Sequence, residues 1–425
     1  MDVEVHGREN GTNGKTELTL GFIPLVDAAP LVVVLEKGFA ADEGLSLTLV
    51  RETSWANIRD RVMLGHFDAA HMLGPMPIAS TFGIGHVEVP MIAPFSLGLG
   101  GNAITFSPSV FSAMEEEGAT LGSNPAEMGA SFARVVRSLR AAGRPALTLA
   151  VVHPFSGHNY ELRYWLAASG VDPDRDIRLI VLPPSFMVDA LLEHQIDGFC
   201  VGEPWNSLAV AVGAGVIAIT KSTLWRQGPE KVLGFRSDFA ERSPAALKAL
   251  LRALYRATQW SGDPNNRDEL SEMLAAPSYL GVPAETIARG LSGQLVRRRG
   301  DAVTEIADFL VFHDHAANFP WQSHALWFYS QMVRWKQTHY SAELAAKARQ
   351  VYRPDLYRVA LGGIGIDLPR ASAKVEGALK TATPVASRNG TIILGPDGFF
   401  DGRLFDPDEM EAYIASFGTD SLDTD

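Results

Sequence analysis

The chain has 425 residues, of which 46% are hydrophobic and 20% charged, and its formal net charge is −12. This length suits two lobes or two domains, and the hydrophobic fraction excludes a wholly disordered chain. The negative charge disfavours direct nucleic-acid binding, because phosphate contacts need clustered Lys and Arg. The one basic run, Arg297 to Arg299, is interpreted as a solvated helix end rather than a phosphate or RNA site.

The first part of the chain alternates short apolar strands with helices. Such a rhythm with short loops predicts a parallel sheet covered by helices. The predicted elements are a strand at 18–23, a helix at 30–38, a strand at 45–50, a helix at 56–64 and a strand at 67–71.

The same rhythm restarts in mid-chain with predicted strands at 147–152, 177–182 and 198–201 and helices at 159–169 and 187–194. Between the two series, residues 94–107 are rich in Gly, Ser and Leu and fit a strand that crosses at a hinge. After Phe235 the periodicity is helical. We therefore predict an α/β fold with two lobes. Lobe 1 comprises residues 17–104 and 222–425, with a helical C-terminal extension, and lobe 2 comprises residues 105–221.

The first fifteen residues, MDVEVHGRENGTNGK, are polar and contain acids. A secretory signal needs a basic start followed by about 7–15 apolar residues, and this stretch has no such run. The longest nearby apolar run contains Pro30 and is too short to span a bilayer. We expect a cytoplasmic protein without a membrane anchor, unless a leader was removed before the sequence was recorded.

The sequence offers little for catalysis or metal binding. The single cysteine, Cys200, excludes an intramolecular disulfide and a cysteine zinc cage, and its apolar surroundings favour a small buried hydrophobe. His313 and His315 lie two apart on a predicted helix, which would splay their imidazoles. Gly-x-Ser-x-Gly, P-loop and His-Glu-x-x-His motifs are absent from the sequence. We expect no enzyme activity, no metal and no cofactor.

Two early segments place candidate ligand-binding residues at element boundaries. Trp55 follows Ser54 at a helix start, where backbone N–H groups attract anions, and its ring could cover a flat ligand. Gly101 and Asn102 combine close backbone approach with an amide donor. Each has an ordinary alternative, namely a buried structural Trp in the first case and a plain turn in the second.

Three later residues complete the candidate set. His158 lies between a strand and a helix, where it can donate to an oxyanion, although helix capping by Ser156 or Asn159 would also explain the segment. Glu203 ends a predicted strand and is either a ligand-ordering acceptor or a helix-start acid. Lys231 could supply one positive charge to an otherwise neutral pocket, whereas most lysines are simply solvated.

Seven segments, in order between residues 17 and 360, together resemble the nitrate- and bicarbonate-binding proteins of the NrtA/CmpA group. The resemblance implies a type II periplasmic-binding-protein fold, in which two α/β lobes are joined by two crossing strands and the ligand lies in the cleft. The segments are LGFIPLVDAAPLVVVLEKGF, SWANIRDRVMLGHFDAAHMLGPMP, GGNAIT, HPFSGHNYELRYWLAASGVDP, FCVGEPWNS, GPEKVLGFRSDF and NFPWQSHALWFYSQMVRWK.

The resemblance also implies roles for the candidate residues. Trp55 would form one wall of the anion site, and His158 would donate a hydrogen bond to one of the oxygens of the anion. Asn102 stands where nitrate binders usually have Gln, so its amide has a shorter reach. Lys231 matches the Lys of nitrate binders, whereas bicarbonate binders carry a Glu that works with calcium. Because nitrate is planar and accepts hydrogen bonds only, donors and one cation from both lobes suit nitrate or nitrite.

With its polar amino terminus, the chain resembles NasS-type nitrate/nitrite sensors most. These hold an RNA-binding antiterminator of the NasT type, an ANTAR protein, inactive until the anion binds. The implied partner is such an antiterminator, and the implied signal is cleft closure. Two alternatives stay open: the substrate-binding component of a nitrate ABC transporter, and an enzyme on the same fold, against which the lone Cys200 argues.

Overall fold

The computed structural model describes residues 15–418. The polar start on which the cytoplasmic expectation rests therefore lies outside the described residues, apart from Lys15. Among the described residues, every helix is too short or too polar to cross a membrane.

The strands of the described chain form two five-stranded sheets and three two-stranded ones. They are β1 (Thr16–Phe22), β2 (Leu45–Arg51), β3 (Ala69–Leu73), β4 (Met91–Ser96), β5 (Leu99–Gly100), β6 (Asn102–Phe106), β7 (Thr148–Val151), β8 (Arg178–Val181), β9 (Gly198–Gly202), β10 (Val216–Thr220), β11 (Lys231–Arg236), β12 (Gln294–Val296), β13 (Val303–Glu305), β14 (Leu310–Val311), β15 (Thr383–Ala386) and β16 (Thr391–Leu394).

The α-helices lie between these strands and dominate the chain after β11. They are α1 (Ala29–Glu36), α2 (Phe39–Asp42), α3 (Trp55–Met63), α4 (Met76–Phe82), α5 (Pro108–Glu116), α6 (Pro125–Ala141), α7 (Gly157–Ala168), α8 (Met187–Leu192), α9 (Trp205–Ala211), α10 (Lys221–Leu224), α11 (Phe239–Arg242), α12 (Pro244–Gly262), α13 (Arg267–Ala275), α14 (Ala284–Ser292), α15 (Gln322–Arg334), α16 (Ala342–Val351), α17 (Pro354–Leu361) and α18 (Met410–Ala415).

The two large sheets have the same construction, and they confirm the predicted two-lobed α/β fold. The first has the order β2-β1-β3-β11-β4 and the second the order β10-β6-β9-β7-β8. In each sheet three strands run parallel, and one antiparallel strand, β11 or β6, is inserted beside them. Their strands read as apolar runs because helices cover both faces of such a sheet.

The register of the inserted strands brings their first residues to the carboxyl ends of their neighbours. Lys231 begins β11 and lies opposite Leu73, the last residue of β3. Asn102 begins β6 and lies opposite Gly202, the last residue of β9. Ligands of open α/β sheets bind at this edge, so both inserted strands start in the cleft.

The chain crosses between the lobes twice, and the two crossing segments pair with each other. Leu99 bridges Pro229, and the N–H of Gly100 donates to the carbonyl of Gly228 at 3.1 Å. Strand β6 lies entirely in the second sheet, so the sheets change at residue 102, inside the span assigned to lobe 1 by sequence.

The C-terminal extension packs on lobe 1 and also contacts lobe 2. Tyr160 of α7 donates to the side-chain oxygen of Gln337 at 2.6 Å, and Tyr164 donates to Asp401 at 2.9 Å. The extension therefore spans the side of the cleft and ties both lobes together. Within this extension, strand β16 pairs antiparallel with β15.

Two local predictions were wrong. The basic run at Arg297 follows a hairpin strand, β12, rather than a helix, because Gln294–Val296 pairs with β13. Arg297 is buried, and Arg298 is paired with Glu115. The segment around His315 is a short 3-10 turn in which that residue has φ of +60°, which interrupts any longer helix.

Candidate functional site

The cleft buries seven ionisable side chains, which we call the cleft cluster. Each is at most 5% exposed, so the lobes are closed over them. The cluster contains three carboxylates, two lysines and two histidines from both lobes. Its members are Asp27, His71, His158, Glu161, Lys221, Glu230 and Lys231.

The lobe 1 half of the cluster is built at the ends of β1 and β3. Asp27 lies in the 3-10 turn that follows β1, and His71 lies within β3. The ammonium group of Lys231 donates to Asp27 Oδ2 at 2.9 Å. His71 Nδ1 accepts from the N–H of Ile23 at 3.4 Å, while Nε2 lies 3.0 Å from Asp27 Oδ1. A neutral imidazole with its hydrogen on Nε2 can accept at Nδ1 and present that hydrogen to the Asp27 side, although Nε2 and Oδ1 do not form an aligned hydrogen bond.

The lobe 2 half comes from β6, α7 and α10. Lys221 begins α10 directly after the buried strand β10, and its ammonium group pairs with Glu161 of α7. Asn102, the first residue of β6, places its amide nitrogen 3.4 Å from Glu161 Oε2. His158 precedes Glu161 by three residues, so the two side chains lie on the same face of α7.

Glu230 joins the two halves. Its Oε1 accepts from Lys231 at 2.8 Å, and its Oε2 accepts from Lys221 at 2.9 Å and from the Asn102 amide at 2.6 Å. A side chain at Gly157 would collide with this carboxylate, so glycine gives Glu230 its room. The prediction that Lys231 lies in an otherwise neutral pocket was wrong, because the pocket also buries three carboxylates and a second lysine.

Several buried polar atoms in the cleft lack partners among the described residues, and two side chains next to Lys231 and Glu230 stand out among them because they can donate. Trp55 Nε1 and both ring nitrogens of His158 are buried and lack hydrogen-bond partners within residues 15–418. The Trp55 ring centroid lies 5.6 Å from Lys231 Nζ, and His158 Nδ1 lies 3.6 Å from Glu230 Oε1. Buried indole and imidazole N–H groups normally find acceptors. The arrangement therefore suits a small acceptor ligand next to Lys231.

Burial and pairing set the protonation states in the cluster. Burial lowers the pKa of His158 to about 3 and also lowers the pKa of His71, which makes both imidazoles neutral at pH 7. Burial by itself would raise the pKa of Asp27, but Lys231 and His71 outweigh it and hold that pKa at about 2. Burial lowers the pKa of Lys231, yet Asp27 and Glu230 raise it above its ordinary value. Lys231 is therefore a full positive charge.

The structure brings four of the six predicted site residues together at the cluster: Trp55, Asn102, His158 and Lys231. Gly101 lies at the crossing with φ of +83°, and its N–H donates to the carbonyl of Phe309 at 2.6 Å. Glu203 accepts from the N–H of Ser207 at 3.2 Å, and burial raises its pKa to about 7. The ligand-binding roles of all six stay predictions.

Helix capping, the ordinary alternative for the His158 segment, is present there and also beside Trp55, which is itself fully buried. Ser54 Oγ accepts from the N–H of Asn57 at 3.1 Å, and Ser156 Oγ accepts from the N–H of Asn159 at 3.0 Å. Each serine satisfies a helix N–H that would otherwise lack an acceptor. The two serines thus cap α3 and α7, so the side chains of Trp55 and His158 are not needed as helix caps.

The sequence interpretation missed five members of the cluster. A usable signal was a charged residue at or soon after the end of a buried apolar strand: Lys221 follows VIAIT directly, and Asp27 comes four residues after the end of LTLGFI. Glu230 was adjacent to a chosen residue, but nothing in the sequence reveals that it accepts from both lobes. The missed members are Asp27, His71, Glu161, Lys221 and Glu230.

Other candidate residues have ordinary surroundings. Cys200 is buried in β9 within the lobe 2 core, which confirms the prediction of a small buried hydrophobe. His313 packs edge-on against Tyr255 and lies 3.3 Å from Asn318 Oδ1. Within residues 15–418, no group of three His, Cys, Asp or Glu side chains is arranged to hold a metal ion.

Comparison with known proteins gives consistent matches. The NMT1-like family model matches residues 11–275. The nitrate/nitrite binding protein NrtA of Synechococcus elongatus is 34% identical over 407 residues, covering 93% of this chain and 85% of the relative. The nitrate import ATP-binding protein NrtC of Synechocystis sp. is 36% identical over 413 residues, covering 96% of this chain, which spans only 56% of that relative's length.

Solved structures support the same relationship. The crystal structure of the periplasmic nitrate-binding protein NrtA from Synechocystis PCC 6803 superposes with a TM-score of 0.81 at 31% identity. The superposition covers 95% of this chain and 98% of that one. It confirms the predicted two-lobed type II periplasmic-binding-protein fold.

Proposed function

This chain belongs to the NMT1-like family and, within it, to the NrtA/CmpA group, and from that premise we propose that it binds nitrate or nitrite in its cleft. The observation that carries the proposal is the pair of unpartnered donors, Trp55 and His158, beside the buried ammonium group of Lys231. Binding without turnover is the proposed activity.

The chemistry of the anion fits these groups. Nitrate accepts hydrogen bonds at three coplanar oxygens and has none to donate, so each oxygen needs an N–H group. Trp55 approaches from lobe 1 and His158 from lobe 2, so an anion that contacts both favours the closed state. Asn102 donates to Glu230, so its contribution to the anion would require that bond to be shared or exchanged.

Lys231 favours nitrate or nitrite over bicarbonate with calcium. Calcium needs six to eight oxygen ligands, and an ammonium group at this position repels a divalent cation. Both oxygens of Glu230 and one of Asp27 already accept from lysines or Asn102. These carboxylates are therefore occupied as counter-ions of the lysines.

The direct test is titration calorimetry of the purified full chain with sodium nitrate and sodium nitrite, with sodium chloride and sodium sulfate as matched salts. We expect saturable 1:1 heat with nitrate or nitrite and none with the control salts. Absence of heat with both nitrate and nitrite at millimolar concentration would contradict the proposal.

For the cellular role, we propose a cytoplasmic sensor of nitrate or nitrite. Two lobes joined by paired crossing segments can report occupancy by closing, provided the anion prefers the closed state. The proposed partner is a NasT-type ANTAR antiterminator that leaves the protein when the anion binds. Co-purification with and without nitrate tests this role, since a partner retained in both conditions, or bound in neither, contradicts it.

The alternative is the substrate-binding component of a nitrate ABC transporter. It is favoured by the relatives, which are named as a nitrate/nitrite binding protein and a nitrate import protein. Fractionation of native cells separates the two roles. Recovery of the protein outside the cytoplasmic membrane would favour transport, and recovery with cytosolic proteins would favour sensing.

A further inference from the structure

We propose that the cleft takes up a proton together with the anion, and that His158 is the residue that receives it. The inference rests on the proposed anion-binding function and deepens it. Its basis is the arrangement of charges and hydrogen-bonding atoms around a fully buried imidazole.

The charge of the cleft cluster makes an added anion costly by itself. With both imidazoles neutral, three carboxylates face two ammonium groups, so one negative charge is already unmatched when all five are ionised. All of these groups are nearly or completely buried, where like charges interact more strongly than in water. A bound monovalent anion would leave two unmatched negative charges, and one proton restores the original balance.

His158 is the residue placed to use the proton, because both of its ring nitrogens lack hydrogen-bond partners among residues 15–418. Its Nδ1 lies 3.6 Å from Glu230 Oε1, too far for a hydrogen bond but close enough for an ion pair once the ring is protonated. A neutral imidazole has one donor and one acceptor, so it cannot donate to a carboxylate and to an anion at once. The imidazolium donates through both nitrogens. In the free protein, burial lowers the pKa of His158 to about 3, so this residue is neutral before the anion arrives.

The other ionisable groups around His158 are less suited to take the proton. His71 already accepts from the N–H of Ile23 at Nδ1 and has Asp27 Oδ1 only 3.0 Å from Nε2, and both lysines carry full charge. Cys200 and Tyr352 stay neutral because burial raises both pKa values. The groups that face the cluster from its surrounding elements are Asp27, His71, Glu161, Cys200, Lys221, Glu230, Lys231 and Tyr352.

Glu161 is the competing acceptor. Burial raises its pKa, although Lys221 opposes that shift. It pairs with Lys221 and lies near the Asn102 amide, so its oxygens already have donors without an added proton. The variant Glu161→Gln therefore tests the competing assignment of the proton.

The experiment is calorimetric titration of the full chain with sodium nitrate at pH 6, 7 and 8, in buffers of different ionisation enthalpy. The dependence of the observed heat on the buffer gives the number of protons taken up. We expect about one proton per nitrate at pH 7, and a dissociation constant that rises about tenfold for each unit of pH. Nitrate binding without proton uptake, and with pH-independent affinity, overturns this inference while the proposed function stands. Absence of nitrate binding at every pH overturns both.

Variants assign the proton. His158→Gln should bind nitrate weakly and without uptake, whereas the control His313→Gln, which lies outside the cleft beside Tyr255, should keep both the affinity and the uptake. Uptake lost in Glu161→Gln but kept in His158→Gln overturns the role of His158. If His158→Gln binds no nitrate, nitrogen-15 NMR of histidine-labelled wild-type protein decides the matter. Imidazolium shifts of His158 with nitrate support the proposal, and neutral-ring shifts overturn it.

Discussion

Two buried clusters of charge, one in the cleft and one beneath the C-terminal segment, differ in how their polar atoms are satisfied. In the C-terminal cluster, Lys374 pairs with Glu376 and lies 2.5 Å from Asp397. Ser323 also donates to Glu376 at 2.6 Å, and the N–H of Leu379 donates to Asp397 at 2.8 Å. Each carboxylate thus accepts from two donors.

The cleft cluster also contains several ion pairs, but some of its buried N–H donors have no acceptor. Trp55 Nε1 and the His158 nitrogens lack partners among residues 15–418 and lie next to Lys231 and Glu230. Beside the C-terminal cluster, His324 Nδ1 is an acceptor when Nε2 faces Glu376, and the donor Trp225 Nε1, also unpartnered within that range, belongs to a ring that packs edge-on against that histidine. Buried charge alone therefore does not mark a binding site. Unpartnered donors beside a buried cation do, because they specify what the ligand must offer.

The largest expected effect separates the clusters by function. Replacing Lys231 with Glu places a fourth carboxylate in the cleft and removes one of its two cations, so nitrate affinity should fall at least 1000-fold, or about 4 kcal/mol. Calorimetry measures the loss, and Lys231→Gln checks that a neutral side chain also weakens binding. Circular dichroism establishes that the variants are folded. Unchanged affinity in folded Lys231→Gln would remove Lys231 from the site.

A substitution in the C-terminal cluster should change the stability of the fold and not the affinity for nitrate. Burial by itself would raise the pKa of Glu376, but Lys374 and His324 lower it to about 2. Its ionised form then stabilises the fold above pH 4.5, and this contribution is lost as the pH falls toward 2. Glu376→Gln should cost about 3 kcal/mol at pH 7 and progressively less in acid, with nitrate affinity unchanged. Urea unfolding at pH 7 and pH 3 measures the difference, and a constant loss at both pH values contradicts the assignment.

The contribution of Glu203 to stability should change with pH in the opposite direction to that of Glu376, because burial raises the pKa of Glu203 to about 7 and no cationic partner opposes this. Its stabilising contribution is complete below pH 4.5 and is lost as the pH rises through 7. Glu203→Gln should therefore gain about 2 kcal/mol relative to wild type between pH 5.5 and pH 8. Thermal or urea unfolding at the two pH values measures it. A relative gain that is greater at pH 5.5 would reverse the sign and refute the shift.

The sequence predicted the fold better than the site, for physical reasons. Strand and helix periodicity is local, so the two βαβ series and most element positions were readable. Trp55 and His158 were found because strand ends and helix starts are where α/β proteins bind ligands, whereas Lys231 was chosen for its charge and through the resemblance. The role of Glu230 depends on donors 128 and 9 residues away, Asn102 and Lys221, and no local pattern contains such a contact.

The smallest expected effect tests the unpartnered donors themselves. Trp55→Phe keeps a buried aromatic ring but removes the indole N–H, so nitrate affinity should fall about tenfold, or about 1.4 kcal/mol, the value of one hydrogen bond to a charged acceptor. Trp327→Phe is the matched control near the C-terminal cluster, since Trp327 Nε1 already donates to Tyr413 at 3.2 Å. That control should lose stability and keep its nitrate affinity. Equal losses of nitrate affinity in both variants would mean that Trp55→Phe acts by changing the packing and not by removing a hydrogen bond to nitrate. The distinction between the two clusters would then rest on Lys231 and His158 alone.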